Sequence, residues 1–348
     1  MQPMGHLAGQ PRDGRKAAIA FVLSHEQFPV PELVQLGAAA EKAGFDNIWT
    51  SDHLQPWQNN EGHSGLAWLT LAAITQHTSH ITMGTGVTSP TYRYHPTVVA
   101  EAFATLSMLA PGRVFLGVGS GEALNEAAAT GQWGDYAERS GRLIEAVEII
   151  RQLWSGEWVN FAGQYYQVPQ TKLYDVPRQP IPIYVAASGP KSMRLAGIHG
   201  DGLITDAERA LQDDLRQAFA EGARSVGKNP DAMPILAEHM VIVGDENDAR
   251  AGAKLWNFLP NAWAKYVNVE DPREIEQEAQ QDVPLEQVIA KWPISRDPQV
   301  HIEAIQKLID GGVTQIYVHS PQPEQQMVID FYGREVLPKL QGVATTAR

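Results

Sequence analysis

Short apolar runs alternate with stretches of helical period along most of this chain. Eight runs stand out, at residues 17–23, 47–51, 81–86, 114–119, 183–187, 202–205, 236–243 and 315–319. Several are apolar at nearly every position, as parallel strands buried on both faces are. Between them, residues 31–43, 96–109, 139–154, 210–226, 298–310 and 325–337 carry apolar side chains at helical spacing, such as Leu33, Leu36 and Ala40, or Leu143, Val147, Ile150 and Leu153. Eight strands alternating with helices predict an α/β fold: a (β/α)8 TIM barrel, one domain over residues 17–340. A doubly wound sheet is the alternative the same pattern allows. Two segments interrupt the alternation, one after the fourth strand and one after the seventh. Residues 158–173 alternate polar and apolar around Ala162-Gly163 and predict a hairpin. Residues 247–295 predict a helical insertion among the loops that follow strands, where barrels build their active sites, so it is expected to cover the substrate. Residues 1–16 are polar, contain Gly and Pro, and read as a loose N-terminal arm.

Composition removes several functions. With 43% hydrophobic residues in 348, the chain can bury a large core. A net charge of −13 with scattered Lys and Arg argues against nucleic acid as a partner. The absence of cysteine excludes disulfides, thiol catalysis and thiolate metal sites, and suits a reducing, cytoplasmic location; a removed export signal is compatible with the same residues. No apolar stretch approaches the ~18 residues of a membrane span. The eleven histidines show no metal-binding spacing.

In a barrel the chemistry sits at the C-terminal strand ends, and polar residues gather there. The first strand is followed by "SHEQ" with Glu26, and the second by "SDHLQPW" with Asp52, His53 and Trp57. The third leads into "GVTSP" and the fourth into "GSGEALNE" with Glu122. His53 reads either as a locally satisfied imidazole or as a proton acceptor for a hydroxyl. Glu122 and Glu26 read as acids at helix starts or as proton-exchanging carboxyls in the site. Trp57 is loop packing or the wall of a flat cofactor. "AASGPK" turns a strand into a helix whose first N–H groups can receive phosphate. "GVGSGE" has its third glycine one position early for the dinucleotide fingerprint, which argues against a nicotinamide site.

Together "SHEQF", "SDHLQPW", "GVGSGEALNE", "RLIEAVEIIRQLWSGE", "YDVP" and "VAASGP" resemble the luciferase-like superfamily. Within it they are similar to the glucose-6-phosphate dehydrogenases that use the deazaflavin coenzyme F420, and to the hydroxymycolic acid dehydrogenases. The resemblance runs from about Ala17 to Leu340. It implies a homodimeric TIM barrel with F420 in its mouth and a hydride passing from a CH–OH carbon to the deazaflavin. It matches His53 to the catalytic histidine, Glu122 to the glutamate that exchanges a proton with the ring, Trp57 to the indole at the reacting centre, and Glu26 to a further pocket carboxylate. Asp52, Ser89 and Asn125 match cofactor contacts, Ser188, Gly189 and Lys191 match the region receiving its tail, and Gly86-Val87 matches a non-prolyl cis peptide behind the ring. Where the glucose-6-phosphate enzymes hold phosphate with a threonine and cations, this chain has Asp206, Arg209, Lys265 beside Tyr266, and Lys291. An acid repels phosphate, so a sugar, a sugar phosphate and a secondary alcohol all stay open as substrate. An FMN-dependent monooxygenase on the same barrel and a non-catalytic F420-binding protein are the alternatives.

Overall fold

The structure, a computed structural model, describes residues 15–340, so nearly all of the arm expected at 1–16 lies outside the described residues. Every expected strand forms. In chain order they are β1 (Ala18–Leu23), β2 (Asn47–Thr50), β3 (Thr82–Thr85), β4 (Leu116–Val118), β5 (Val159–Ala162), β6 (Gln167–Thr171), β7 (Ile183–Ala186), β8 (Gly202–Asp206), β9 (Ile235–Met240) and β10 (Gln315–His319). β5 and β6 pair antiparallel as the separate hairpin. The other eight run parallel in the order β3-β2-β1-β10-β9-β8-β7-β4. The two ends of that row meet, because Met83 bridges Val114 and Thr88 bridges Val118. The sheet therefore closes into a barrel, and the doubly wound alternative, which needs two open edges, falls away.

Side chains alternate between the two faces of each strand. Val22, Trp49, Phe115, Tyr184, Leu236 and Tyr317 fill the barrel, with Trp49 and Tyr317 stacked at 3.7 Å. Ile19, Ile48, Leu116, Ile183, Leu203 and Ile316 point outward under the helices. A filled interior confines any ligand to the mouth.

The expected helices form within a few residues of their predicted ends, and the last one passes through a π-helical turn, Tyr332–Val336. One barrel helix, Ala67–Thr75, has no counterpart in the sequence reading. Its sequence AWLTLAAIT is apolar on every side, so no polar face reveals its period. The insertion comprises Glu246–Ala253, Pro272–Asp282 and Leu285–Ile289 with two single turns between them. Its base is pinned where Ile242 bridges Ile294. Its body docks on loops at the strand ends: Trp256 Nε1 donates to Gln27 Oε1 at 2.8 Å, and Trp133 Nε1 donates to Asn268 Oδ1 at 3.0 Å. Among the described residues no helix is long and apolar enough to cross a membrane.

Candidate active site

The inward-facing hydroxyls at the ends of β1 and β2 hold one carboxylate. Ser51 Oγ and Ser24 Oγ donate to Glu26 Oε2 at 2.6 and 3.0 Å. Burial pushes the Glu26 carboxyl up, but His53 and the two hydroxyls outweigh it, so the group lies below its ordinary range and stays ionised. Its other oxygen, Oε1, is 3.8 Å from His53 Nε2. On the far side of that ring, Nδ1 meets the Gln55 carbonyl at 3.2 Å. A carbonyl only accepts, so Nδ1 carries a hydrogen and Nε2 is the ring nitrogen that faces Glu26. The imidazole is thus oriented as a base, with a counter-charge waiting for the imidazolium.

The β4 end supplies the adjoining wall, since β4 closes the barrel against β3. Gly121 sits at φ +82, and a Cβ there would fall 2.7 Å from Ser89 Oγ, so only glycine lets the chain turn toward Glu122. Asn125 is a connector: its Nδ2 donates to Glu122 Oε2 at 3.2 Å, and its Oδ1 accepts from the Leu54 and Gln55 N–H groups at 2.8 and 3.2 Å. Glu122 and the His53 loop are therefore held in one register. Asp52 is a clasp. It accepts from Thr88 Oγ1 at 2.7 Å, Arg93 Nη2 at 3.0 Å and Tyr94 OH at 3.2 Å, so both its oxygens are engaged by protein. Ser89 pairs with Thr91 at 2.7 Å. Arg93 and Glu126 were missed by sequence reasoning. Glu126 lies one helical turn past Glu122 in the same motif, a signal that was available; nothing around Arg93 in sequence points to its role.

Trp57 is buried between the site and the insertion. Its ring stacks on Phe258 at 4.9 Å, meets Trp263 edge-on at 5.8 Å and lies 5.9 Å from the His53 ring. The five residues expected around the substrate do not stay together. Tyr266 is fully buried with Trp57 and Phe258 in the insertion core, so its ring does not line the mouth. Lys265 turns away to Glu278 and Asp282 at 2.9 and 2.8 Å. Asp206, Arg209 and Lys291 do gather at the β8 end, but as neutralised pairs: Arg209 bonds Asp206, and Lys291 bonds Glu208. Sequence reasoning also missed a pair on β9 and β10, where His319 Nδ1 lies 2.6 Å from Glu238 Oε1.

The floor between these walls is apolar and flat. Val87 and Ala186 cap the barrel core, and Gly119 lies between them, where a Cβ would come 2.7 Å from Val87 Cγ2. The Gly86–Val87 peptide is cis, as the resemblance implies. A Cβ on Gly189 would meet nothing within 4 Å, so the helix start at Pro190–His199 is open. The N–H groups of Ser188 and Gly189 both donate to Ser192 Oγ at 3.1 Å, and the Lys191 side chain is exposed beside them. A flat conjugated ring on Val87 and Ala186 with an anionic tail toward Lys191 fits this set. A second cavity, lined by Met108, Val114, Arg178 and Ile181, lies at the other end of β4 and brings no acid or imidazole with it.

Residues 8–315 match the family described as luciferase-like monooxygenase. An F420-dependent hydroxymycolic acid dehydrogenase of Mycobacterium tuberculosis is 51% identical over 322 residues, covering 92% of this chain and 88% of that protein. An F420-dependent glucose-6-phosphate dehydrogenase of Nakamurella multipartita is 40% identical over 327 residues, covering 93% and 96%. Among solved structures, an F420-dependent secondary alcohol dehydrogenase in complex with an F420-acetone adduct superposes with a TM-score of 0.87 at 32% identity, covering 93% of this chain and 99% of that one.

Proposed function

This chain belongs to the luciferase-like family, among relatives named as F420-dependent dehydrogenases, and from that premise we propose that it oxidises an unphosphorylated secondary alcohol with coenzyme F420 as acceptor. It is an oxidoreductase acting on a CH–OH group, and F420 is its cofactor. When bound, the deazaflavin supplies a ring carbon that accepts a hydride. His53 takes the hydroxyl proton at Nε2, and the ionised Glu26 stabilises the imidazolium that results. Glu122 exchanges a proton from the adjoining wall, tied to the His53 loop through Asn125. Trp57 closes the pocket against water, and Val87, Ala186, Ser188, Gly189 and Lys191 would hold the cofactor. The observation that carries this reading is the His53 ring, fixed by the Gln55 carbonyl with its Nε2 facing Glu26.

The absence of phosphate from the substrate rests on the β8 end. Arg209 and Lys291 already have Asp206 and Glu208 as partners, so a phosphate dianion has to compete with two carboxylates for both cations. The test is loss of oxidised F420 absorbance with glucose 6-phosphate, glucose and a series of secondary alcohols. Bleaching is expected with unphosphorylated alcohols. Bleaching by glucose 6-phosphate alone overturns the substrate reading, and tight F420 binding without bleaching by any of them overturns the dehydrogenase reading. His53→Asn is expected to lower kcat by about 10²–10⁴-fold while F420 binding, followed by fluorescence, persists. Pairing of two chains into a homodimer and a cytoplasmic location complete the proposal.

A further inference from the structure

Glu238 has no part in the chemistry above, yet it faces the mouth. It lies two residues past Leu236, on the inward face of β9, and pairs in register with Tyr317 and with Asp206, both inward. Its side chain is 35% exposed, whereas its partner His319 is 2% exposed. His319 Nδ1–H donates to Glu238 Oε1 at 2.6 Å, which fixes one carboxyl oxygen. His319 is itself held: the Trp256 ring meets it edge-on at 4.5 Å, and the Trp256 indole N–H is anchored on Gln27, next to Glu26. Among the described residues, the second oxygen of Glu238 has no hydrogen-bond partner. Asp206 beside it is matched by Arg209, so Glu238 is left as an acceptor in the mouth.

We propose that Glu238 is a specificity-determining residue that accepts a hydrogen bond from a second hydroxyl group of the substrate, which makes the preferred substrate a neutral diol or polyol rather than a simple alcohol. The inference rests on the alcohol dehydrogenase reading. His319 holds one carboxyl oxygen and leaves the other open to the mouth, so a substrate that brings a donor there gains a hydrogen bond that a simple alcohol does not make.

The test compares trans-cyclohexane-1,2-diol with cyclohexanol, using oxidised F420 and the whole chain. In Glu238→Ile the ratio of kcat/KM for diol over mono-alcohol is expected to fall at least about tenfold, with the change in the KM of the diol. Glu238→Gln keeps the shape, should fold if the isoleucine variant does not, and is expected to fall in the same direction by less. Binding without turnover is read as the melting-temperature rise that the diol gives protein loaded with reduced F420; this rise is expected to vanish in Glu238→Ile. A fall smaller than about tenfold in Glu238→Ile, a ratio equal to wild type in Glu238→Gln where the isoleucine variant does not fold, or an unchanged melting-temperature rise overturns the proposal. Failure of the cofactor reading is separate: wild type then gives no fluorescence change with F420 at all.

Discussion

Glu126 links the charge of the site to the stability of the fold. Its Oε2 accepts N–H bonds from Tyr92 and Arg93 at 3.2 and 2.7 Å, while Oε1 is buried without a hydrogen bond. Burial outweighs those bonds and the nearby Arg93 guanidinium, Glu122 adds repulsion, and the carboxyl is pushed up to about 7 from an ordinary 4.5. Below the ordinary value both folded and unfolded states hold the proton, and the contribution to stability is fully present. As pH rises toward 7 the unfolded chain ionises while the folded one does not, so stability is lost across that window. Glu126→Gln keeps the neutral shape at every pH. The melting temperature of wild type is expected to fall by a few degrees relative to this variant between pH 5 and pH 8, and parallel curves would show that Glu126 is ionised throughout. Asp52 and Arg93 behave differently. They form a buried pair at 3.0 Å, and removing either leaves the other charge uncompensated, typically at about 3–5 kcal/mol.

The insertion is held by an aromatic stack. Phe258 is buried at 1% exposure and lies under Trp57 at 4.9 Å, so the loop that carries His53 and the insertion share one small core. Phe258→Ala opens a cavity in that core and is expected to cost about 3–5 kcal/mol locally. Amide exchange over Pro272–Asp282 should accelerate while exchange in β1 and β10 stays slow; equal exchange in both proteins would mean the stack does not hold the insertion. The strands were legible because barrel strands are apolar on both faces, and the segment at 247–295 because it breaks the alternation. Helix Ala67–Thr75 was not, since an all-apolar helix has no period to read. Within the site, His53, Glu26 and Glu122 could be read because they sit in polar loops just past strands. Glu238 and His319 lie inside strands, and their inward direction exists only once the register of β8, β9 and β10 is known. The separation of Lys265 and Tyr266 from Arg209 was hidden for the same reason: it depends on how the insertion folds back, not on spacing along the chain.

At the scale of the whole molecule, one face is apolar and uncovered among the described residues. Leu66, Leu69 and Val98 are 44%, 67% and 47% exposed, at the N-terminal ends of the adjacent helices Ala67–Thr75 and Pro96–Leu109. Trp68 lies behind them, against Tyr94 at 4.3 Å, and donates to Thr88 Oγ1 at 3.2 Å, so this face backs onto the network that holds Asp52. Two copies meeting here would bury apolar surface and brace the loop of His53, whose carbonyl accepts from Ser64 Oγ at 2.7 Å. Each copy brings a net charge of −13, so repulsion opposes the contact and salt screens it. The proposed homodimer is therefore expected to tighten as salt is raised, opposite to a dimer held by ion pairs. Light scattering on wild type should give twice 38.2 kDa, and Leu69→Glu with Val98→Glu should give 38.2 kDa, because four new carboxylates would face one another across the two-fold contact. A double variant that keeps the dimer mass moves the interface elsewhere on the barrel. A wild type at 38.2 kDa in high salt overturns the homodimer, and the His53 loop is then held by its own chain alone.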